Sequence, residues 1–149
     1  MISTKGRYAL RVMIDLAQQK EDRYVPLEEI ATRQNISKKY LESILKTLVK
    51  ENLLVGARGK GGGYKLTRSP KEYTIGEILE LEEGTLASVA CLEENAPSCE
   101  RKDICVTLPM WELFDKVVHN FFYGLTLEDL LSGAPLNEIV SASLSQLND

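Results

Sequence analysis

The chain has 149 residues, 44% of them hydrophobic, enough for one compact core of ordinary domain size with an extension. A formal charge of -4 argues at first sight against nucleic acid, yet residues 1–71 hold fifteen Lys or Arg against seven Asp or Glu, while residues 72–149 hold three against fifteen. That asymmetry suggests a basic, polyanion-facing front and an acidic rear.

Nothing approaches the roughly 18 consecutive apolar residues of a membrane span, and three cysteines fit no closed disulfide framework. Lys5 and Arg7 precede an apolar run that Arg11 and Asp15 interrupt too early for a signal peptide. A soluble, cytoplasmic protein with no membrane partner is expected, and clustered thiols in a reducing compartment are more naturally metal or redox ligands than bridges.

The first predicted element is a helix from Thr4 to Gln19, with Tyr8, Ala9, Val12, Met13, Leu16 and Ala17 as its buried stripe. A polar connection, Lys20 to Tyr24, leads into the stretch Val25 to Glu51, which reads as two helices about a tight turn. The first spans Leu27 to Arg33, Gln34-Asn35-Ile36 turns the chain, and Ser37 stands at the N-cap of the second. Tyr40, Leu41, Ile44, Leu45, Leu48 and Val49 recur at three- and four-residue spacing and form one face of that second helix. The opposite face carries Lys38, Lys39, Glu42, Ser43, Lys46, Thr47 and Lys50, side chains able to reach phosphates and base edges in a major groove. This is the profile of a recognition helix, and an ordinary helical hairpin with a solvated face is the competing reading of the stretch alone.

Between Leu53 and Leu66 lie five of the chain's ten glycines, flanked by an apolar run and the alternating Tyr64-Lys65-Leu66. A β-hairpin with a basic tip is predicted, carrying Arg58 and Lys60 toward a minor groove. A phosphate-cradling loop fails on spacing: a P-loop needs glycine where Leu54 stands and Ser or Thr where Gly61 stands, and the dinucleotide fingerprint needs glycine at Tyr64.

Thr74-Ile75-Gly76-Glu77 has the pattern of a capping box and starts a helix buried through Ile78, Leu79 and Leu81. The stretch from Cys91 to Cys105 is polar and proline-broken, with seven residues between the first two cysteines and five between the last two. That spacing is wrong for zinc hooks, and no histidine lies nearby. Three thiols on one loop suit an iron–sulfur cluster, with three incidental cysteines as the bland alternative. From Leu108 to Tyr123 runs an apolar helix in which Trp111, Phe114, Val118, Phe121 and Leu125 keep 3-4-3-4 spacing, widened by Val117 and Phe122. A second copy of the chain is the expected partner, and packing on its own domain is the alternative. Gly124 ends that helix, Thr126 starts a short one with Leu130 and Leu131, and a frayed helix is expected beyond Pro135. His119 is expected beside the dimer seam; no neighbouring nucleophile pattern makes it catalytic.

These elements describe a mainly α protein with a small β-hairpin wing. Residues 1–84 form a winged helix-turn-helix domain, 85–106 a cysteine-bearing cluster-binding loop, and 107–149 a dimerisation helix and C-terminal tail.

The opening STKGRYAL, the stretch VPLEEIATRQNISKKYLE, the wing ARGKGGGYKL, the phrase TIGEILELEEG, the three cysteines and LTLEDLL together resemble the Rrf2 family of dimeric winged-helix repressors across about residues 1–132. Within it the likeness is to the IscR type of iron–sulfur cluster regulator. The resemblance implies a transcription regulator without enzymatic activity, a homodimer on double-stranded operator DNA, and a 2Fe-2S cluster on Cys91, Cys99 and Cys105. It also implies that Lys39, Glu42 and Ser43 meet the major groove and Arg58 the minor groove, with Lys38 and Lys46 on phosphate. Regulators of the IscR type carry a histidine three residues after the last cysteine, where this chain has Leu108. The NsrR branch uses an aspartate on the N-terminal helix, where this chain has Arg7. The fourth ligand must therefore come from an oxygen or nitrogen donor elsewhere or from an exogenous thiol, and Glu93, Glu94, Glu100 and Asp103 in the loop are the favoured candidates over His119. The alternative function is a cluster-free thiol- or small-molecule-responsive regulator on the same scaffold.

Overall fold

The computed structural model describes residues 1–19 and 22–148, so Lys20 and Glu21 of the first connection lie outside the described residues. Helix α1 (Thr4–Ala17) starts where the Ser3 hydroxyl accepts the Gly6 N–H at 3.2 Å, and ends two residues before the expected Gln19. Its apolar stripe, Ala9, Val12, Met13 and Leu16, is buried. Two short helices follow, α2 (Leu27–Gln34) and α3 (Lys38–Lys50), separated by Asn35 in the left-handed region and by buried Ile36. The Ser37 hydroxyl accepts the Tyr40 N–H, as its N-cap position predicts. Leu41, Ile44, Leu45 and Leu48 of α3 are fully buried, so truncating any one to Ala costs about 2–5 kcal/mol.

The hairpin pairs β1 (Leu54–Ala57) antiparallel with β2 (Gly63–Leu66), Leu54 opposite Leu66 and Ala57 opposite Gly63. Its tip turns through Gly59 and Gly61, both at positive φ, where a side chain would be strained. Val25 bridges to Tyr64 and ties the hairpin to the start of α2. Tyr73 locks the hairpin base. It is fully buried; its hydroxyl donates to the Leu53 carbonyl at 2.7 Å and accepts the Thr67 and Arg68 N–H groups at 2.9 and 3.0 Å.

Helix α4 (Ile75–Glu83) packs on α1, capped by the Thr74 hydroxyl. Glu77 does not complete a reciprocal box; its carboxylate is held by Arg68 at 2.8 and 3.3 Å instead. Residues 85–107 are irregular apart from single turns at Ala90–Leu92 and Lys102–Ile104, as their polar, proline-broken sequence predicts. Helix α5 (Leu108–Tyr123) then packs on α4, Tyr123 lying against Gly76, although none of its residues is fully buried. Leu125 and Leu127 enter the core after it, the Leu127 N–H donates to the Tyr73 carbonyl at 3.1 Å, and α6 (Leu127–Leu131) follows with a capping box at Thr126 and Asp129. Leu125 is thus a core residue rather than the last step of the α5 stripe.

The tail is also more ordered than a frayed helix. Helix α7 (Leu136–Ser145) packs along α5, with Ile139 and Val140 against the core. Gly124 ends α5 in the right-handed region rather than the left-handed one. Its missing side chain admits Ser143, since a Cβ there would come within 2.8 Å of that side chain and of the Asn120 carbonyl.

Candidate nucleic-acid interface and cysteine loop

With Leu41, Ile44, Leu45 and Leu48 turned inward, the helical period aims Lys38, Lys39, Glu42, Ser43, Lys46 and Lys50 at solvent. Among the described residues Lys39, Lys46, Arg58 and Lys60 form no ion pair, so their charges are available to a polyanion. Lys38 is partly engaged: its ammonium lies 3.1 Å from Glu28 and holds that carboxyl below its ordinary pKa. The Ser43 hydroxyl donates to the Tyr40 carbonyl at 2.8 Å, leaving its lone pairs outward. Between α3 and the hairpin is an open groove of about 470 Å³ lined by Glu42, Lys46, Lys50, Arg58 and Tyr64. Recognition helix and wing therefore share one basic surface, and Lys60 sits at the exposed hairpin tip.

Several supports of that surface carried no signal in the sequence. Asp15, 2% exposed, accepts two hydrogen bonds from the Arg33 guanidinium at 2.9 and 3.0 Å and one from Gln34 at 2.8 Å. Arg11 donates from Nε to Gln34 at 3.2 Å and lies over the Tyr8 ring, whose edge meets Tyr40 with centroids 5.7 Å apart. Polar contacts thus clamp α1 to the end of α2, and a ring contact joins α1 to the start of α3.

Cys91, Cys99 and Cys105 are free thiols that line one hollow of about 280 Å³ below the N-terminus of α5, together with Lys102, Leu108 and Glu112. The Thr107 hydroxyl lies 3.5 Å from the Cys105 sulfur and lowers that thiol's pKa. Among the described residues no three His, Cys, Asp or Glu side chains converge on a point where a single metal ion would sit. A two-iron cluster asks for something different, soft donors arrayed around a volume, and three cysteines lining one hollow are the donor type it takes. The sequence-based candidates for the remaining donor are dispersed. Glu93, Glu94 and His119 line a separate, acidic hollow with Asp115 and Glu80, and Glu100 and Asp103 are exposed without lining the thiol hollow. His119 stacks on Tyr123 with centroids 4.3 Å apart. The Tyr123 hydroxyl donates to Glu80, and burial foremost, with that carboxylate beside it, raises its pKa.

The apolar face of α5 divides. Trp111, Phe114, Val118 and Phe122 line a groove of about 310 Å³ shared with Ile2 and Leu86 of the same chain. Met110, Leu113 and Phe121 face solvent, as do Ile104 and Val106 just ahead of the helix, and Phe114 reaches both sides. No helix among the described residues is long and apolar enough to cross a membrane.

Residues 2–133 match the model of the Rrf2 family, described as iron-dependent transcriptional regulators. The chain is 30% identical over 138 residues to the HTH-type transcriptional regulator IscR of Pectobacterium carotovorum subsp. carotovorum, covering 93% of this chain and 83% of that one. Among solved structures it is similar to CymR, the global cysteine regulator of B. subtilis, at a TM-score of 0.71 and 35% identity, over 90% of this chain and 98% of that one. It is likewise similar to T. potens IscR at a TM-score of 0.70 and 33% identity, over 89% of this chain and 87% of that one.

Proposed function

Since the chain belongs to the Rrf2 family of transcriptional regulators, and so is a regulator rather than an enzyme, we propose that it senses iron–sulfur status in the cytoplasm and binds operator DNA as a homodimer. The observation that supports this reading is the hollow at the foot of α5 that Cys91, Cys99 and Cys105 all line. Cys91, Cys99 and Cys105 would hold a 2Fe-2S cluster, which when bound supplies a redox-active group sensitive to oxidants and iron supply. The rest of the response belongs to the chain. Residues 85–107 join α4, packed on α1 and α3, to α5, which itself packs on α4, so a change in the loop would bear on the α4–α5 contact. The Ser88 N–H donates to Asp115 on α5 at 2.8 Å, which couples loop and helix. Two α5 helices paired about a two-fold axis fix the separation of two recognition helices, and occupancy of the loop thereby biases operator affinity.

The DNA contacts follow from the shared surface of α3 and the wing. Lys39, Glu42 and Ser43 face the major groove, Lys38 and Lys46 meet phosphate, and Arg58 with Lys60 enters the minor groove. The test is anaerobic reconstitution with ferrous iron and sulfide, with wild type and Cys99→Ala compared for iron content and operator affinity. We expect a coloured wild type whose affinity changes on loading, and a Cys99→Ala protein that does neither.

A second reading, a cluster-free thiol regulator, is favoured by the lowered pKa of Cys105, since the thiolate is the reactive form. CymR of B. subtilis, named the global cysteine regulator, has the same fold. Anaerobic protein that stays colourless, binds DNA and changes affinity with a thiol oxidant would establish it.

A further inference from the structure

We infer that Glu112 is the oxygen ligand that completes the cysteine site, because it stands one turn along α5 from Leu108 and lines the same hollow as Cys91, Cys99 and Cys105. The inference rests on the cluster reading above and sharpens it. A two-iron cluster takes four terminal donors, and the cysteines provide three. Leu108, three residues past the last cysteine, has no lone pair to give. Residues four apart on a helix share a face, so a hollow bordered by Leu108 is also reached from position 112. Helix α5 presents a carboxylate there.

Glu112 is exposed, and among the described residues no hydrogen bond or ion pair engages it, so coordination would disrupt nothing in the fold. The loop carboxylates lack this placement. Glu93 and Glu94 open onto the other hollow, and Glu100 does not line the thiol hollow. Lys102 does line it, a cation beside what would be three thiolates and a carboxylate. The ligand set would then bridge two structural units, three sulfurs from the loop and one oxygen from the helix. Cluster loss would remove that one tie between α5 and the loop, leaving the Ser88–Asp115 hydrogen bond.

A hard oxygen donor is replaceable by sulfur at the same position, and that makes the assignment testable. Wild type, Glu112→Gln, Glu112→Cys, Glu93→Gln and Cys99→Ala are reconstituted anaerobically with ferrous iron and sulfide. Absorption, electron paramagnetic resonance of the reduced protein, iron content and the chromophore's half-life against an iron chelator are measured, with circular dichroism as the check on folding. Glu112→Gln should lose the chromophore at least about tenfold faster than wild type. Glu112→Cys should keep the wild-type iron content, last longer and shift both spectra toward an all-sulfur pattern, while Glu93→Gln matches wild type. A Glu112→Gln protein with wild-type spectra and half-life overturns the inference and leaves the cluster reading standing. A wild type that takes up no iron and sulfide, or a Cys99→Ala protein with the wild-type chromophore, overturns both.

Discussion

Asp15 carries more of the DNA-binding geometry than its place inside an apolar run suggests. It is buried, and Arg33 and Gln34 at the end of α2 both donate to it, so the helix-turn-helix is anchored to α1 through one carboxylate. Asp15→Ala would strand these donors; since Arg33 is partly exposed, a loss of about 2–3 kcal/mol in urea unfolding is expected, short of the cost of breaking a fully buried pair. Operator affinity should fall with it, and a variant of wild-type stability would remove Asp15 from this role. Glu82 presents the opposite case. Its carboxylate is closed off from solvent with neither oxygen hydrogen-bonded, and burial raises its pKa although Lys5, 3.3 Å away, pulls it down. A carboxyl whose folded pKa is raised contributes stability that is complete below the unfolded value of about 4.3 and is lost as pH climbs through the folded one. Glu82→Gln lacks that loss, so its thermal midpoint should gain on wild type as pH rises from about 4 to about 8. A difference independent of pH would contradict the assignment.

At the scale of elements, α3 and the wing divide labour, and their variants should separate. Arg58 projects from the hairpin tip, where a narrow minor groove would attract it, and Arg58→Ala should cost about 1–3 kcal/mol of operator binding with altered sequence preference. Lys46 faces the open groove as a bare charge, so Lys46→Ala should weaken all sequences alike and reduce the salt slope by about one. Titrations against operator and scrambled duplex at several salt concentrations distinguish the two; unchanged operator affinity in Arg58→Ala would sink the wing assignment. These elements were legible in the chain because period and turn chemistry are local: Leu41, Ile44, Leu45 and Leu48 repeat at helical spacing, and glycines mark the hairpin tip. What escaped depends on distant partners. Asp15 reads as an interruption until Arg33 is folded against it, and Gly124 reads only as a helix end until Ser143 packs there. Tyr73 stands isolated among polar residues, yet it closes the hairpin base. The thiol hollow was half legible: the cysteines announced it, while Glu112 joins them only because α5 begins directly below the loop.

Taken whole, the chain divides its charge between a basic first half and an acidic second half, and an apolar ridge runs along α5 in the acidic half. Phe114 and Phe121 are 39% and 37% exposed, and Met110 and Leu113 are each 54% exposed, all on one helix with no buried residue. Exposed apolar surface on this scale marks an interface, and a stable one buries about 1,200–2,000 Å² in total. A second copy would suit the ridge: two α5 helices crossed about a two-fold axis would cover both ridges, and a palindromic operator would then ask for recognition helices spaced for half-sites about 34–36 Å apart. The association needs no metal, so the apo-protein should already be a dimer. Sedimentation at micromolar concentration should give a dimer for wild type and for Cys99→Ala. Phe114→Glu with Phe121→Glu should sediment as a folded monomer whose operator affinity falls to that of a single half-site. A wild-type apo-protein that sediments as a soluble, folded monomer would show that the ridge has some other use, and the two recognition helices would then need another element to fix their spacing.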